Sequence, residues 1–170
     1  IKTYDLGDHQ VLVEATLKDT RTPPPTKESP AGRMVLVHDL AARIRVQGPD
    51  LTIVGVEAEM PHIPREMCRE VLPDMQKLVG LRIISGYTQK VKELLSGVEG
   101  CTHITELAGA LATAAFQTMA GQRLQPSDQR PFQLDKCHAL ESTQPAVARY
   151  YPKWYTGSEP IEAVGEGDHH

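Results

Sequence analysis

Alternation of apolar and polar side chains in the first third of the chain constrains the fold more than any other sequence feature. Residues 10–17, 33–47 and 51–60 each show the period of two that is typical of a half-buried strand. Gly48-Pro49-Asp50 predicts a turn between the second and third segments. The three segments therefore predict an antiparallel meander, to which the residues before Gly7 add an optional fourth strand.

The second predicted strand contains a change in this alternation. Val35 and Val37 are apolar at odd positions, whereas Leu40 begins an apolar series at even positions. Because side chains alternate with a period of two, the change requires an extra residue, and so a bulge or bend at His38-Asp39. Bulges often direct side chains into a site, which makes both residues functional candidates. The alternative is a twisted edge strand with two exposed polar residues.

Helical patterns dominate the chain after the strands. Residues 64–79, 87–95 and 100–121 predict three helices, the first opened by a proline and the last two followed by or ending at glycine. In the first helix, helical spacing from Cys68 to Val79 places the thiol on the face that meets the core. The predicted fold class is α+β, with an antiparallel three- to four-stranded meander packed on one face by about three helices, and an irregular C-terminal extension.

The chain is expected to divide into one domain and two further segments. Residues 1–124 form the α+β domain, and residues 125–156 form an extension that packs on this domain or on a partner, because it concentrates tyrosine and the only tryptophan. Residues 157–170 have the composition of a disordered tail. The final Asp-His-His is typical of a purification-tag remnant, so these histidines are excluded from any predicted site.

Charge and hydropathy narrow the classes of partner. The net charge is -4 and no run of Lys or Arg occurs, which argues against binding to nucleic acid or to an anionic membrane surface. No apolar run approaches the roughly 20 residues that cross a bilayer. We therefore expect a soluble cytoplasmic protein whose partner is a small-molecule substrate, with a homodimer as one possible assembly. Its three cysteines are expected to be free thiols or metal ligands rather than disulfides.

The beginning of the last predicted helix carries the most reactive residue types. Cys101 and His103 lie where unpaired backbone N–H groups and the positive end of the helix dipole favour a thiolate over a thiol. An inert buried cysteine and a histidine of the capping region are the alternative interpretation. The pair is therefore a candidate site that needs further groups from elsewhere in the chain.

Several short motifs spread over nearly the whole chain resemble one protein family. They are Leu17-x-Asp19, Val37-His38-Asp39, Pro64-x-x-x-Cys68, Leu78-Val79-Gly80-Leu81, Gly100-Cys101-Thr102-His103-Ile104-Thr105-Glu106-Leu107 and Asp135-Lys136-Cys137-His138. The chain is similar to a bacterial family catalogued as domain of unknown function 2889. The family supplies no activity, but its members are found in bacteria that degrade aromatic compounds. The resemblance therefore implies an intermediate of aromatic catabolism as substrate.

The order of predicted elements also resembles the NifU-type iron–sulfur scaffold fold. In that family a Cys-Gly-Asp precedes a strand, a second Cys follows the hairpin, and a third Cys opens the last helix. Asp39, Cys68 and Cys101 occupy similar places here, whereas the first cysteine is missing and His103 is added. The resemblance implies a mononuclear zinc-type site more readily than an iron–sulfur cluster, because thiolate, imidazole and carboxylate all suit that ion.

Three functional hypotheses follow. The first is an enzyme of lyase or hydrolase type that uses acid/base or metal Lewis-acid chemistry, with His38, Asp39, Cys101 and His103 as catalytic candidates. His103 or His38 would transfer the proton, Asp39 would orient it, and Cys101 would be ligand or nucleophile. Its cofactor would be one divalent metal ion of zinc type, held by Asp39, Cys68, Cys101 and His103, or none. The second hypothesis is a NifU-like metal-binding or carrier module, and the third a protein-interaction domain.

Other chemistries lack their sequence signatures. The chain has no glycine-rich phosphate loop, no dinucleotide-binding fingerprint and no Cys-x-x-Cys pair. Redox and phosphoryl transfer are therefore not expected.

Overall fold

The computed structural model describes residues 1–25, 32–121 and 128–158. The described residues form two compact units, which divide between Met119 and Ala120. The boundary predicted at residue 124 and the predicted tag remnant both lie outside the described residues.

The first unit contains one sheet of four antiparallel strands. They are β1 (Lys2–Gly7), β2 (Gln10–Arg21), β3 (Val35–Gln47) and β4 (Thr52–His62), and they lie side by side in chain order. This arrangement confirms the predicted meander, including its optional fourth strand. Polar and apolar residues alternate along β2 and β3, as expected for a sheet with one face on the core.

Cross-strand pairing of β2 with β3 defines the inward face of the sheet. Val13 pairs with Ile44 and Leu17 pairs with Leu40, and the odd positions of β2 thus share a face with the even positions of β3. Further along, Asp19 pairs with His38 while the next residue of β2 pairs with Leu36, so one residue of β3 is extra. This bulge confirms the predicted change of alternation and lies one residue before the predicted position.

Three longer helices follow the sheet along the chain. They are a 3₁₀ helix (Glu66–Leu78), α1 (Tyr87–Leu95) and α2 (Thr102–Gly121), with a short 3₁₀ turn (Gly97–Glu99) before α2. Together with the sheet they confirm the α+β class. Of the helices that the structure describes, none has the length and apolar character needed to cross a membrane.

The first helix differs from the prediction in its period. A 3₁₀ helix repeats every three residues, so Leu72, Met75 and Leu78 share a face, and the last two are fully buried. The expectation of an α-helical face that ends at Val79 is wrong, because that side chain is 43% exposed. Pro73 lies inside the helix, where it disfavours the i to i−4 pattern of an α-helix.

Residues that follow β4 in the chain form hydrogen bonds with the outer edge of this strand. Ile53 N donates to Leu81 O at 2.9 Å, and Gly80 N donates back to Ile53 O at 2.8 Å. Further along the strand, Gln76 Nε2 donates to Val56 O at 2.8 Å. These bonds satisfy backbone groups that would otherwise offer a template for edge-to-edge association.

The second unit contains α3 (Pro145–Tyr150) and two 3₁₀ turns (His138–Leu140 and Pro152–Trp154). Its small core consists of Leu134, Val147 and Tyr151, and partly buried Leu140, Trp154 and Tyr155 pack against it. Three aromatic residues of the C-terminal segment therefore contribute to this core, namely Tyr151, Trp154 and Tyr155.

The carboxylate of Asp135 stabilises the loop that precedes α3 by hydrogen bonds and an ion pair. Its Oδ1 accepts a hydrogen bond of 2.7 Å from Ser142 N, and its Oδ2 pairs with Arg130. The Arg130 guanidinium and Ser142 together lower the pKa of Asp135 to about 2. Cys137, two residues later, is exposed.

Candidate functional site

The candidate site lies where the apolar inward face of the sheet ends. After Leu17 and Leu40, the next pair on this face is Asp19 of β2 and His38 of β3. His38 Nδ1 lies 3.0 Å from Asp19 Oδ2, which is a hydrogen-bonding distance. The His38 side chain is 16% exposed and that of Asp19 is 41% exposed, so the pair is accessible from solvent while partly embedded.

A second histidine reaches this pair from the beginning of α2. His103 Nε2 lies 4.0 Å from Asp19 Oδ2. The ring centroids of His103 and His38 are 4.1 Å apart, and their planes are tilted by 39°. One ligand-type atom from each of Asp19, His38 and His103 lies within 4.8 Å of the others. We refer to these three residues as the Asp–His–His cluster.

Cys101 lies on the other side of the His103 ring. Its Sγ is 3.8 Å from His103 Nδ1, and both side chains are partly buried. One imidazole is thus placed between a thiol at Nδ1 and a carboxylate at Nε2. Cys101 immediately precedes α2, whose first backbone N–H groups have no intrahelical acceptor.

Thr105 fixes the position of Cys101 against the end of α1. The Thr105 hydroxyl lies 2.8 Å from Leu95 O and 3.0 Å from Cys101 O, and Cys101 N donates to Leu95 O at 3.2 Å. Thr105 is only 8% exposed. A buried hydroxyl therefore links the end of α1, the thiol-bearing residue and the first turn of α2.

Replacement of Thr105 by Val is expected to lower the free energy of unfolding by about 1 kcal/mol, the net value of a typical hydrogen bond. Thr113→Val is the matched control, because Thr113 makes a similar hydroxyl bond to the carbonyl of Gly109 in the same helix but is exposed. The control should change the free energy of unfolding by less than about 0.5 kcal/mol. Urea unfolding measures both values, and equal losses would contradict a linking role for Thr105.

Burial controls the protonation of His103. Partial burial lowers the pKa of His103 below its usual 6.5, the neighbouring His38 lowers it further, and Asp19 opposes both effects. At neutral pH the ring is therefore uncharged. An uncharged imidazole offers a lone pair, which can accept a proton or bind a metal ion.

The structure brings together some of the sequence-predicted site residues and separates others. His38, Cys101 and His103 lie close together, as expected. Asp39 does not join them, because neighbouring residues of a strand point to opposite faces, and its Oδ2 instead pairs with Lys18 Nζ at 3.1 Å. The carboxylate beside the histidines belongs to Asp19.

Cys68 is also separate from the cluster. It is partly buried in the 3₁₀ helix, and no metal-binding group found among the described residues includes it. Asp19 is absent from the sequence-predicted site, although the Leu17-x-Asp19 motif contains it. The signal that could have identified it is the spacing from Leu17, which continues the inward row of β2 by one position.

The family model described as "Protein of unknown function (DUF2889)" matches residues 1–117. The chain belongs to this family. The matched part of the DUF2889 protein contains the whole Asp–His–His cluster and Cys101. No curated protein and no solved structure matches the chain, and the likeness to the NifU-type scaffold is not confirmed.

Proposed function

We propose that this DUF2889 protein is an acid–base enzyme of hydrolase or lyase type that acts on a small carbonyl-bearing substrate at the Asp–His–His cluster. The observation that carries the proposal is the contact of one carboxylate with two imidazoles. Asp19 Oδ2 lies 3.0 Å from His38 Nδ1 and 4.0 Å from His103 Nε2. Such an arrangement supplies a base together with groups that orient it.

In the proposed hydrolysis, His103 is the general base. A water oxygen attacks the carbonyl carbon of an ester while His103 accepts a proton from that water. Collapse of the tetrahedral intermediate breaks the bond to the leaving oxygen, which receives the proton from His103. The products are a carboxylic acid and an alcohol, and His103 returns to its uncharged form. The lowered pKa of His103 keeps the base in the uncharged form at neutral pH.

The neighbouring groups have separate roles in this proposal. Asp19 holds the His38 ring by a hydrogen bond and stabilises positive charge that develops on either imidazole. Cys101 directly precedes α2, and the first N–H groups of this helix are suited to stabilise a developing oxyanion. Cys101 is a hydrogen-bonding partner of His103, or a nucleophile in its own right. Cys101→Ser keeps a hydrogen-bonding group but replaces the thiol by a weaker nucleophile, so comparison of Cys101→Ser with Cys101→Ala separates these two roles.

The partial exposure of the cluster supports access by a small molecule. The Asp19, His103 and His38 side chains are 41%, 29% and 16% exposed. A substrate can therefore reach the carboxylate and the His103 ring from solvent. An aromatic substrate is the finer proposal, and it rests on the bacteria in which the family is found.

The discriminating experiment compares two aspartates on neighbouring strands. Asp19→Asn removes the carboxylate charge of the cluster, whereas Asp39→Asn removes a charge on the opposite face of the sheet. With p-nitrophenyl acetate as an aromatic ester probe, we expect Asp19→Asn to lower kcat/KM by about 10-fold or more. Asp39→Asn should stay within about twofold of the unmodified protein, as expected for a residue outside the site.

The same pair of variants also tests the assignment against its strongest competitor. Loss of hydrolysis in Asp39→Asn with retention in Asp19→Asn would show that the carboxylate of the site belongs to Asp39, as the sequence predicts, and not to Asp19. Equal rates in both variants and in the unmodified protein would discard the acid–base proposal. Circular dichroism of each variant excludes unfolding as the cause of a lost rate.

We also propose the cytoplasm as the location of the protein. All three cysteines are free in the structure, and they include the exposed Cys137. Free thiols are typical of a reducing compartment.

A further inference from the structure

We propose that the Asp–His–His cluster binds one divalent first-row cation of zinc type, with Asp19, His38 and His103 as its protein ligands. The inference deepens the proposed function, on which it rests for its chemical meaning. With the ion bound, His103 would be a ligand, and a coordinated water of lowered pKa would replace the imidazole as the reacting group. The ligand set differs from the one predicted from the sequence. It replaces the carboxylate of Asp39 by that of Asp19 and contains no sulfur.

The distances within the cluster fit such an ion. Zinc bonds of about 2.0–2.2 Å in a tetrahedral site place neighbouring ligand atoms roughly 3.3–3.6 Å apart. Asp19 Oδ2 is 3.0 Å from His38 Nδ1 and 4.0 Å from His103 Nε2, so the observed separations fall on either side of this value. The ligand atoms of His38 and His103 also lie within 4.8 Å of each other, so small side-chain movements would let all three residues share one ion.

The three ligands come from three different elements of the first unit. Asp19 ends the inward row of β2, His38 ends that of β3, and His103 lies in the first turn of α2. Because strands and a long helix hold them, the ligand positions are set by the fold rather than by a loop. Three protein ligands leave a coordination position open for water or a substrate oxygen.

The surroundings of His103 favour Nε2 as the ring atom that binds the ion. If Nε2 binds the ion, the ring proton resides on Nδ1, which lies 3.8 Å from Cys101 Sγ. The thiol then accepts a hydrogen bond from the ligand ring and orients it, as outer partners of metal-binding histidines do. Cys101 is therefore a positioning residue for the ion and not one of its ligands. A bound ion would polarise a carbonyl group or lower the pKa of a coordinated water.

Metal binding can be measured on the full chain without an added histidine tag. After dialysis against a chelator, Zn²⁺ is titrated in competition with a chromophoric chelator, and Co²⁺ is added separately to record its visible spectrum. We expect one tightly bound Zn²⁺ per chain. Asp19→Asn, His38→Ala and His103→Ala should each weaken binding by more than about 100-fold, beyond the loss that outer partners cause.

Two control variants define the specificity of this result. Asp39→Asn and Cys68→Ser should bind Zn²⁺ as the unmodified protein does, because both residues lie outside the cluster. Cys101→Ala should weaken binding by only about 10-fold, which is the lower end of the range for an outer partner. The Co²⁺ spectrum should lack the charge-transfer band of a thiolate ligand. His38→Gln provides a second variant if His38→Ala fails to fold.

The outcomes separate this inference from the proposed function. Unchanged Zn²⁺ affinity in the three ligand variants, or equal loss in Asp39→Asn, would overturn the metal site. If no ion binds but hydrolysis still depends on Asp19, the inference falls and the acid–base enzyme remains. If the ion binds through the cluster but hydrolysis does not depend on it, the inference stands and the protein is a metal-binding module without this catalysis.

Discussion

Replacement of His103 by Ala is expected to lower kcat/KM for p-nitrophenyl acetate by about 10²–10⁴-fold, the range for loss of a positioned proton-transfer group. The expectation follows from the position of the ring between Asp19 Oδ2 at 4.0 Å and Cys101 Sγ at 3.8 Å. Release of p-nitrophenolate, followed by absorbance under saturating and limiting substrate, gives kcat and KM separately. A proton-transfer role should reduce kcat more than it changes KM.

The pH dependence of the same reaction provides a second test. The pKa of His103 is lowered from 6.5, chiefly by burial, so the uncharged base persists to lower pH than a free imidazole would. The midpoint of the decline in kcat/KM of the metal-free protein should therefore lie below pH 6.5. A midpoint at or above the ordinary imidazole pKa of 6.5 would contradict the assignment of His103 as the base.

His9→Asn is the matched histidine control for these measurements. His9 is exposed and adopts a left-handed backbone conformation with φ of 58°, which asparagine tolerates well. The variant removes one solvent-accessible imidazole without touching the cluster. Its kcat/KM should match that of the unmodified protein. An equal loss in His9→Asn and His103→Ala would show that surface imidazoles, rather than the cluster, hydrolyse the ester.

The sheet could be predicted from the sequence because its determinants are local. Alternation along β2 and β3 requires one apolar face, and the Gly48-Pro49-Asp50 turn sets the strands antiparallel. The bulge is also predictable from the sequence, because a period of two cannot place Val37 and Leu40 on the same face of one strand. Such patterns need no knowledge of which residues meet across the fold.

The pattern of apolar residues does not show whether the first helix is an α-helix or a 3₁₀ helix. Apolar residues at positions 72, 75, 78 and 79 fit an α-helix or a 3₁₀ helix equally well over so short a segment. Pro73 and the bonds from this segment to the edge of β4 accompany the tighter helix. Tertiary contacts of this kind decide between two local geometries that the sequence leaves close in energy.

Only part of the site is predicted from the sequence, because successive side chains of a strand point to opposite faces of the sheet. His38 and Asp39 are adjacent in sequence and were assigned to one site, although a strand sends them to opposite faces. The choice between them depends on pairing: His38 pairs with Asp19 and lies on the inward row, whereas Asp39 pairs with Lys18. Cys101 and His103 were found because the beginning of α2 is a local feature.

Replacement of Gly100 by Ala is expected to be the most destabilising single change at the entry to α2. A Cβ at this position would lie 1.9 Å from Leu95 O and 2.2 Å from Leu95 C. Both are backbone atoms, so no side-chain rotation can relieve the overlap, and the junction between α1 and α2 must move. We expect the free energy of unfolding, measured with urea, to fall by about 3 kcal/mol or more, at or above the upper end of the usual cost of overpacking.

Gly109→Ala is the control for this change, because it makes the same substitution inside α2, where an added Cβ meets no atom within 4 Å. It should raise the free energy of unfolding by about 0.5–1 kcal/mol, since alanine favours a helix over glycine. Gly100 also leads directly into Cys101 and His103, so a displaced junction should weaken Zn²⁺ binding and ester hydrolysis even where the chain still folds. Equal stability of the two variants would show that the junction accommodates a side chain, and that the close approach of Gly100 to Leu95 does not fix the cluster in place.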